Sequence, residues 1–343
     1  MKKYTIVLLL FFFYKCEDKQ SKPDTVFEYT YHENKRVASL EMSSDEYDSW
    51  ITYDGFTNTE QRLSVINDIY NVFSDDYDFI FLILDEPSIP ANLNYYGKLI
   101  GVSNSVSGLG LQNYDYSLDY GSDGKLKAVM QLTGLEYLKY GPALHELAHQ
   151  WANHGLATHS VDSPGEELIS YLFTGHWGFT GGSTPGQLGG FSQSSLIENG
   201  NNSYTVDSFG PFANGGNGLP FNELELYLMG MLDIQDLNNF DMFTDITAFT
   251  TNESTFDFTA NQKTTYTPET LIALLGERSP SYDESQKEFN LLAIVITESS
   301  LTDEKWSKVD ATAEWFSKSE DDGSSLYNFW EATNGLGSIS ISY

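Results

Sequence analysis

Hydrophobic residues recur along the chain with two periods. In some segments every second residue is apolar, as in strands, and in others the apolar residues recur every three or four positions, as in helices. The segments 26–31 and 36–42 alternate with a period of two and are predicted to be strands. Residues 58–73 carry apolar side chains at helical spacing. The continuous apolar run 79–84 is typical of a strand covered on both faces. This succession predicts a mixed α/β domain.

The rest of the chain extends the same pattern. Further strands are predicted near 98–103 and 125–132, and a buried strand at 289–297. Residues 178–220 are rich in Gly, Ser and Asn, so a long irregular region is predicted there, and such regions often carry function. Helices are predicted at 221–232, 267–276 and 306–316.

The expected architecture is therefore an α/β (α+β) fold in which a mixed, twisted sheet packs on a helix beginning near residue 142, with a largely helical C-terminal part. A chain of 343 residues can form one large or two modest domains. The predicted organisation is a signal over 1–16, a polar tether over 17–25, a main domain over 26–240 and a C-terminal subdomain over 241–343.

The charge of the chain excludes several classes of partner. The formal net charge is −31, from 49 acidic and 18 basic residues. Such a chain cannot neutralise the phosphates of a nucleic acid, and it has few basic residues with which to bind an anionic membrane surface. The Asp- and Asn-rich loops leave bound Ca²⁺ as a minor alternative, although no EF-hand pattern is present.

The N-terminal residues predict export. Lys2 and Lys3 precede an apolar run over 6–14 that is too short to span a bilayer but fits a secretory signal. The only cysteine, Cys16, follows this run and resembles the lipidated cysteine of a bacterial lipoprotein, although Lys15 departs from the small residue preferred there. We expect an exported chain, secreted or attached to the cell surface by a lipid on Cys16 alone.

The segment LHELAHQWANHG, residues 144–155, carries the chemistry. His145 and His149 are one helical turn apart, so both imidazoles point to the same side and can bind one metal ion. Glu146 is adjacent and can accept a proton from a water on the open face of that ion. Pro142 is well placed at the start of such a helix.

A catalytic zinc ion needs a third protein ligand, and the local sequence does not supply it in the usual way. The pattern HExxHxxGxxH requires a glycine and a histidine at positions where this chain has Ala152 and Gly155. His154 is nine residues beyond His145, about 180° around an ideal helix, and is therefore expected to face away.

Other side chains remain as candidates for the third ligand. Glu167 follows at nearly the spacing of thermolysin-like sites, whereas Glu166 is expected to complete a capping box. Glu225 lies on a later predicted helix, where it could ligate the ion or hold the second nitrogen of a histidine. His176, beside Trp177, could return to the ion from a loop.

The motifs HELAHQW, HWGF, LGGF and FNELELYLMG, in this order, resemble those of a group of secreted bacterial zincin-like metallopeptidases. The upstream NSVSGLGL and the downstream FNLLAIVIT resemble the same group, so that the similarity covers roughly residues 95–330. The resemblance implies a zincin-like fold and favours His176 as the third ligand of Zn²⁺, beside His145 and His149.

These observations predict a zinc-dependent endopeptidase that acts on a peptide or protein, with Glu146 as general base. Tyr227 is a candidate donor to the oxyanion. Two alternatives remain open: a zincin-like binding or adhesion lipoprotein without activity, and a zinc amidase that acts on cell-wall or glycan-linked bonds.

Overall fold

The computed structural model describes residues 26–152, 154–159, 175–211, 213 and 216–343. The predicted signal and tether, with Cys16, lie outside the described residues, and so do Glu166 and Glu167. Within the described part of the chain, no helix combines the length and the apolar character that a membrane crossing requires.

The described residues form a mixed α/β structure with twisted mixed sheets. The helices are α1 (Ser44–Thr52), α2 (Thr59–Val72), α3 (Tyr137–Tyr140), α4 (Ala143–Ala148), α5 (Glu223–Met229), α6 (Pro268–Leu275), α7 (Asp303–Phe316) and α8 (Phe329–Ala332). The strands are β1 (Glu28–Tyr31), β2 (Val37–Glu41), β3 (Phe79–Leu84), β4 (Gly97–Gly101), β5 (Ser103–Asn104), β6 (Tyr114–Asp115), β7 (Ala128–Leu132), β8 (Gly178–Gly182), β9 (Gly189–Ser192), β10 (Ile197–Gly200), β11 (Ser203–Asp207), β12 (Phe240–Thr251), β13 (Thr255–Tyr266), β14 (Glu288–Thr297) and β15 (Ser338–Ile341). Short 3-10 helices lie at Ser117–Tyr120, Gln193–Ser195, Ile234–Asp236 and Tyr282–Glu284.

The main sheet has the strand order β1-β2-β14-β3-β7-β4, and β15 also pairs with β14. Its central strands are parallel, whereas β1 and β4 run antiparallel to their neighbours. All residues of β3 are buried, as the uninterrupted apolar run predicts for a strand covered on both faces. Strand β4 lies at the end of this order, so one of its edges is not paired within the sheet.

Successive residues of β3 point to opposite faces of the main sheet and enter two separate cores. Phe79 and Phe81 pack with Leu144 and Leu147 of α4, whereas Ile80 packs with the apolar face of α2 on the other side. The helix that carries the histidines is therefore held against one face of the main sheet by apolar burial.

A second sheet has the strand order β10-β11-β13-β12-β8-β9. The prediction of a long irregular region over 178–220 is wrong, because the strands β8 to β11 lie within it. Glycine and asparagine have a low intrinsic preference for strands. Here pairing with β12 and β13 and an aromatic cluster on one face of the sheet stabilise the strands. The members of that cluster include Phe179, Phe191, Tyr204, Phe243, Phe256 and Phe258.

The largely helical C-terminal part predicted from the sequence is not evident. Residues 241–343 contribute most of the long hairpin β12–β13 and the strand β14, which lies between β2 and β3 in the main sheet. The alternation of Phe256, Phe258 and Ala260 with polar residues produces a strand face, not a helical one. Both sheets combine strands from the two sides of residue 240, where the sequence predicts a boundary.

Candidate metal centre

Helix α4 places two histidines on one side of a short, well-anchored segment. Pro142 precedes the first helical residue, as expected for a residue with a fixed φ, and His149 closes the helix as its C-cap. Leu144 and Leu147 are fully buried against the main sheet. The helix is shorter than the sequence predicts, but it spans the one turn that brings His145 and His149 together.

The structure brings His176 to the same point. The Nε2 atom of His145 lies 3.3 Å from Nε2 of His149 and 3.3 Å from Nε2 of His176. Ligand atoms of the three residues lie within 4.8 Å of one another, so the group can hold a metal ion. The histidine that the motif resemblance favours as third ligand therefore lies beside the other two, although it is 27 residues beyond His149 in the chain.

The spacing of these nitrogens matches a tetrahedral ion. Two nitrogens bound to zinc at about 2.05 Å with a tetrahedral angle are about 3.3 Å apart. Hydrogen bonding alone does not explain the arrangement, because the single lone pair on Nε2 of His145 faces two other nitrogens. A cation at the centre satisfies all three at once. The donor set therefore fits a zinc ion.

The carbonyl of Gln187 fixes the orientation of the His145 ring. Nδ1 of His145 lies 2.8 Å from this oxygen, and since a carbonyl can only accept, Nδ1 carries the proton. Nε2 then keeps its lone pair for a ligand. His145 is 8% exposed, so the ring has little freedom to turn.

The segment 175–178 delivers His176 from the start of β8. Gly175 has a φ of +82°, a conformation that favours glycine, and the chain turns there toward the site. The His176 carbonyl accepts a hydrogen bond from the Thr158 hydroxyl at 2.6 Å, and the next N–H, that of Trp177, donates to the Leu188 carbonyl at 2.7 Å. Both bonds hold the peptide group that joins His176 to Trp177.

The environment keeps the three imidazoles neutral. Burial lowers the pKa of His145, and burial together with the imidazoles of His145, His176 and His154 lowers the pKa of His149 well below its usual range. Burial and the nearby His145 lower the pKa of His176 to about 3. Neutral imidazole is the form that binds a metal ion, so the site is electrostatically prepared for one.

Glu146 lies beside the histidines with its side chain directed to the cleft. Burial raises the pKa of its carboxyl to about 7, although the backbone N–H of Leu99 and the nearby Lys98 both favour the charged form. A carboxyl with this pKa can accept and return a proton near neutral pH. Glu146 thus has the property that a general base requires.

A cleft with a volume of about 730 Å³ opens over the site. Strand β4 forms one of its walls, and Gly97 packs directly against α4, since a Cβ there would lie 2.8 Å from Cγ of Glu146 and from Cγ of Pro142. Exposed aromatic rings of Tyr96 and Tyr140 lie at its rim. The described residues that line it are Tyr95, Tyr96, Gly97, Lys98, Leu99, Tyr140, Gly141, Pro142, His145, Glu146, His149, Gly175, His176, Ala213 and Gly216.

The remaining candidate residues take other places. His154 is not part of the converging group, and Tyr227 is buried in the core and does not line the cleft, so its suggested role as oxyanion donor is not supported. Glu225 is fully buried, but its carboxylate accepts backbone and indole N–H groups, and no histidine nitrogen of the described residues is among its hydrogen-bond partners.

A second group of potential ligands lies on the surface. Asp321, Asp322 and Glu331 bring carboxylate oxygens within 4.8 Å of one another, but the two aspartates are exposed. Exposed acidic side chains cluster readily in a chain with a net charge of −31. This group gives no independent support for the Ca²⁺ alternative.

Two features of the site were not found from the sequence. The Gln187 carbonyl that orients His145 belongs to the backbone, and a backbone group leaves no signal in residue type. The close approach of Gly97 to α4 left little signal either, because Gly97 is the first residue of β4 and lies just outside the strand predicted near 98–103. A glycine marks the close approach of another segment most clearly inside a strand.

Comparisons of the chain with protein-family models, with curated proteins and with solved structures find no match. The resemblance of its motifs to those of secreted zincin-like metallopeptidases therefore stays a hypothesis. What the chain does has to be inferred from the geometry of the three histidines, Glu146 and the cleft above them.

Proposed function

We propose that this protein is a zinc-dependent peptidase of the zincin-like type, with His145, His149 and His176 as metal ligands and Glu146 as the catalytic base. The observation that carries the proposal is the convergence of three neutral imidazoles, with Nε2 of His145 3.3 Å from Nε2 of each of the other two, beside a carboxyl with a pKa of about 7. A structural zinc site has four protein ligands, whereas among the described residues this group has three, and it faces a cleft.

When bound, zinc polarises a carbonyl oxygen and lowers the pKa of water. Glu146 takes a proton from the water whose oxygen attacks the carbonyl carbon of the scissile amide. It then delivers that proton to the nitrogen as the carbon–nitrogen bond breaks. A carboxylic acid and an amine are released, and the carboxylate of Glu146 is regenerated.

The wall of the cleft supports an extended peptide as substrate. Strand β4 has an edge without a partner among the described strands of the main sheet, and the backbone N–H of Leu99 on this strand lowers the pKa of the Glu146 carboxyl. A peptide that adds to this edge would satisfy its free backbone groups and lie beside Glu146. The cleft is large enough for side chains on both sides of the scissile bond.

The test is hydrolysis of a peptide pool by the zinc-loaded chain, with new termini identified by mass spectrometry. We expect cleavage by the wild type and by Glu136→Gln, a carboxylate before α3 that makes no capping hydrogen bond. We expect none above background in Glu146→Gln. Equal cleavage by Glu146→Gln would overturn the mechanism, and an inactive wild type with bound zinc would overturn the peptidase function.

A further inference from the structure

Glu225 is a carboxylate with no exposed surface whose oxygens are fully occupied by donors. Oε1 accepts the indole N–H of Trp177 at 3.0 Å and the backbone N–H of Leu188 at 2.8 Å. Oε2 accepts the backbone N–H of Gln187 at 3.1 Å and that of Asn222 at 2.8 Å. Only the last of these bonds belongs to the capping box of α5, so three donors come from the segments that hold the metal centre.

The partners of Glu225 require its ionised form. A carboxylate offers about four acceptor sites, and four N–H groups occupy them here. A protonated carboxyl would need an acceptor, and none of these four partners can accept. Burial raises the pKa of Glu225, and the hydrogen bonds from Leu188, Asn222, Gln187 and Trp177 oppose that rise. Removing the negative charge of Glu225 would therefore leave several buried N–H donors without a full acceptor.

One route leads from this charge to His145 through a single peptide group. The N–H of Leu188 and the carbonyl of Gln187 belong to the same planar amide. Its N–H donates to Glu225 at 2.8 Å, while its carbonyl accepts Nδ1–H of His145 at 2.8 Å. A negative charge at the N–H end polarises the amide and makes its oxygen a stronger acceptor.

A second route leads to His176. Trp177, its direct neighbour in the chain, is 1% exposed and donates its indole N–H to the same oxygen of Glu225. The Trp177 backbone N–H also donates to the carbonyl of Leu188. Glu225 therefore fastens the segment 186–188 and the segment 176–177 to each other, and each of the two segments fixes one metal ligand.

We propose that Glu225 is the positioning residue of the metal centre, which sets the Nδ1–H tautomer of His145 through the Gln187–Leu188 peptide and holds His176 through Trp177. The proposal rests on the zinc site proposed above. Metal-binding histidines usually donate directly to a carboxylate or carbonyl. Here the Gln187 carbonyl accepts the hydrogen bond from His145, and the Glu225 carboxylate accepts the N–H of the same peptide group.

The first test is zinc affinity measured by competition with a chromogenic chelator. Glu225→Gln keeps the shape of the side chain but removes the charge and turns an acceptor into a donor that faces other donors. We expect affinity to fall by about 10–100-fold, as for the loss of other outer-shell partners. The matched control is Glu223→Gln, two residues away in the same helix, whose carboxylate accepts a hydrogen bond from the exposed Asn238. We expect the control to keep wild-type affinity.

The second test measures the tautomer of the His145 imidazole in the absence of metal. In the metal-free protein labelled with ¹⁵N-histidine, the wild type should show the Nδ1–H tautomer at His145, with the signal assigned by its loss in His145→Gln. In Glu225→Gln we expect the Nε2–H tautomer to gain population. Zinc affinity equal to that of the control overturns the proposal, and a loss of affinity with an unchanged tautomer overturns the route through His145.

Trp177→Phe keeps the proposal testable if Glu225→Gln does not fold. It removes a single donor to Glu225 and leaves a ring in the same place, and we expect zinc affinity to fall by about tenfold, at the lower end of the outer-shell range. Unchanged affinity in a folded Trp177→Phe then overturns the proposal. A wild type that takes up no zinc refutes the proposed function instead, while the tautomer of His145 still tests Glu225.

Discussion

Glu146 and Glu225 are both glutamates enclosed by the core around α4 and α5, and burial raises the pKa of each. Their partners differ. The carboxylate of Glu146 faces the cleft, and the Leu99 backbone N–H is the backbone donor that lowers its pKa, whereas the carboxylate of Glu225 receives four N–H groups and has no exposed surface. The same side chain, once beside the cleft and once fully buried, therefore has different chemistry.

The difference shows that the number of donors around a buried carboxylate decides what it can do. Glu146 keeps lone pairs that face the cleft, so it can exchange a proton with a substrate or a water. Glu225 has no such lone pair left and can only hold the groups that point at it. We therefore expect substitutions at Glu146 to change the rate of hydrolysis and substitutions at Glu225 to change the binding of metal.

The largest effect should come from Glu146→Gln. Loss of a general base typically lowers the rate by about 10²–10⁴-fold, and we expect kcat to fall within that range. Zinc affinity should stay at the wild-type value, because Glu146 is not a ligand. Steady-state kinetics and chelator competition on the same preparation measure both. A Glu146→Gln protein that loses its zinc would remove the distinction between the two glutamates.

A smaller fall in kcat is expected when Glu146 is retained but its side chain is displaced by a substitution in β4. In Gly97→Ala the new Cβ would lie 2.8 Å from Cγ of Glu146, too close for an ordinary contact, so the side chain or the strand has to shift. Displacement by about 1 Å can cost roughly 10²-fold, and we expect kcat to fall by up to that factor with zinc retained. Gly218→Ala, which meets no atom within 4 Å, is the control. Full activity in Gly97→Ala would show that β4 does not position Glu146.

Asp310 is a third buried carboxylate for this comparison, and it lies outside the cleft and is 5% exposed. Its hydrogen-bond donors are the charged Arg36 and the neutral Asn34. Burial raises its pKa, but hydrogen bonds from Arg36 and Asn34 outweigh burial, and the net pKa lies below the usual value. The stability it contributes is therefore present above the unfolded pKa of about 3.9 and is lost as pH falls through the lower folded pKa.

We accordingly expect Asp310→Asn to lower the free energy of unfolding by about 1–3 kcal/mol at neutral pH, since buried donors lose a charged acceptor. Below about pH 4 the variant should lose less stability than the wild type, because the titrating group is gone. Urea denaturation across this pH range measures both quantities. Parallel pH profiles for the two proteins would contradict the expected role of Arg36 and Asn34.

The smallest effect is expected at the surface group of Asp321, Asp322 and Glu331. Its aspartates are exposed and no buried histidine is part of the group. Removing one charge with Asp322→Asn should leave zinc content and hydrolysis unchanged, since exposed carboxylates are well solvated. Loss of a bound ion in Asp322→Asn, detected by elemental analysis, would show that carboxylates can build a site here without burial.

The part of the site that the sequence predicted is the part encoded locally. His145, Glu146 and His149 lie within one turn of helix, so their geometry follows from helical spacing. His176 is brought in by the pairing of the segment 175–178 with its neighbours, which spacing alone cannot determine. Its selection among the candidates came from the resemblance of the motifs, and the structure brings it to the other two histidines.

The second sheet shows where sequence patterns failed. The strands β8 to β11 are rich in Gly, Ser and Asn, and only pairing with β12 and β13 and the aromatic cluster makes them strands. The sequence names Glu225 as a possible partner for the second nitrogen of a histidine, but it could not show the indirect route for a related reason. Its connection to His145 passes through the backbone of Gln187 and Leu188, and a backbone contact has no residue type to recognise.

The most direct measurement of the central claim is the zinc content of the purified wild type and of His176→Ala, determined by elemental analysis after equilibration with the same limiting free zinc. We predict one zinc ion per chain in the wild type and a strong loss in His176→Ala, larger than the roughly 10–100-fold loss of affinity that an outer-shell change causes. A wild type without zinc, or a His176→Ala protein with full zinc content, would contradict the account.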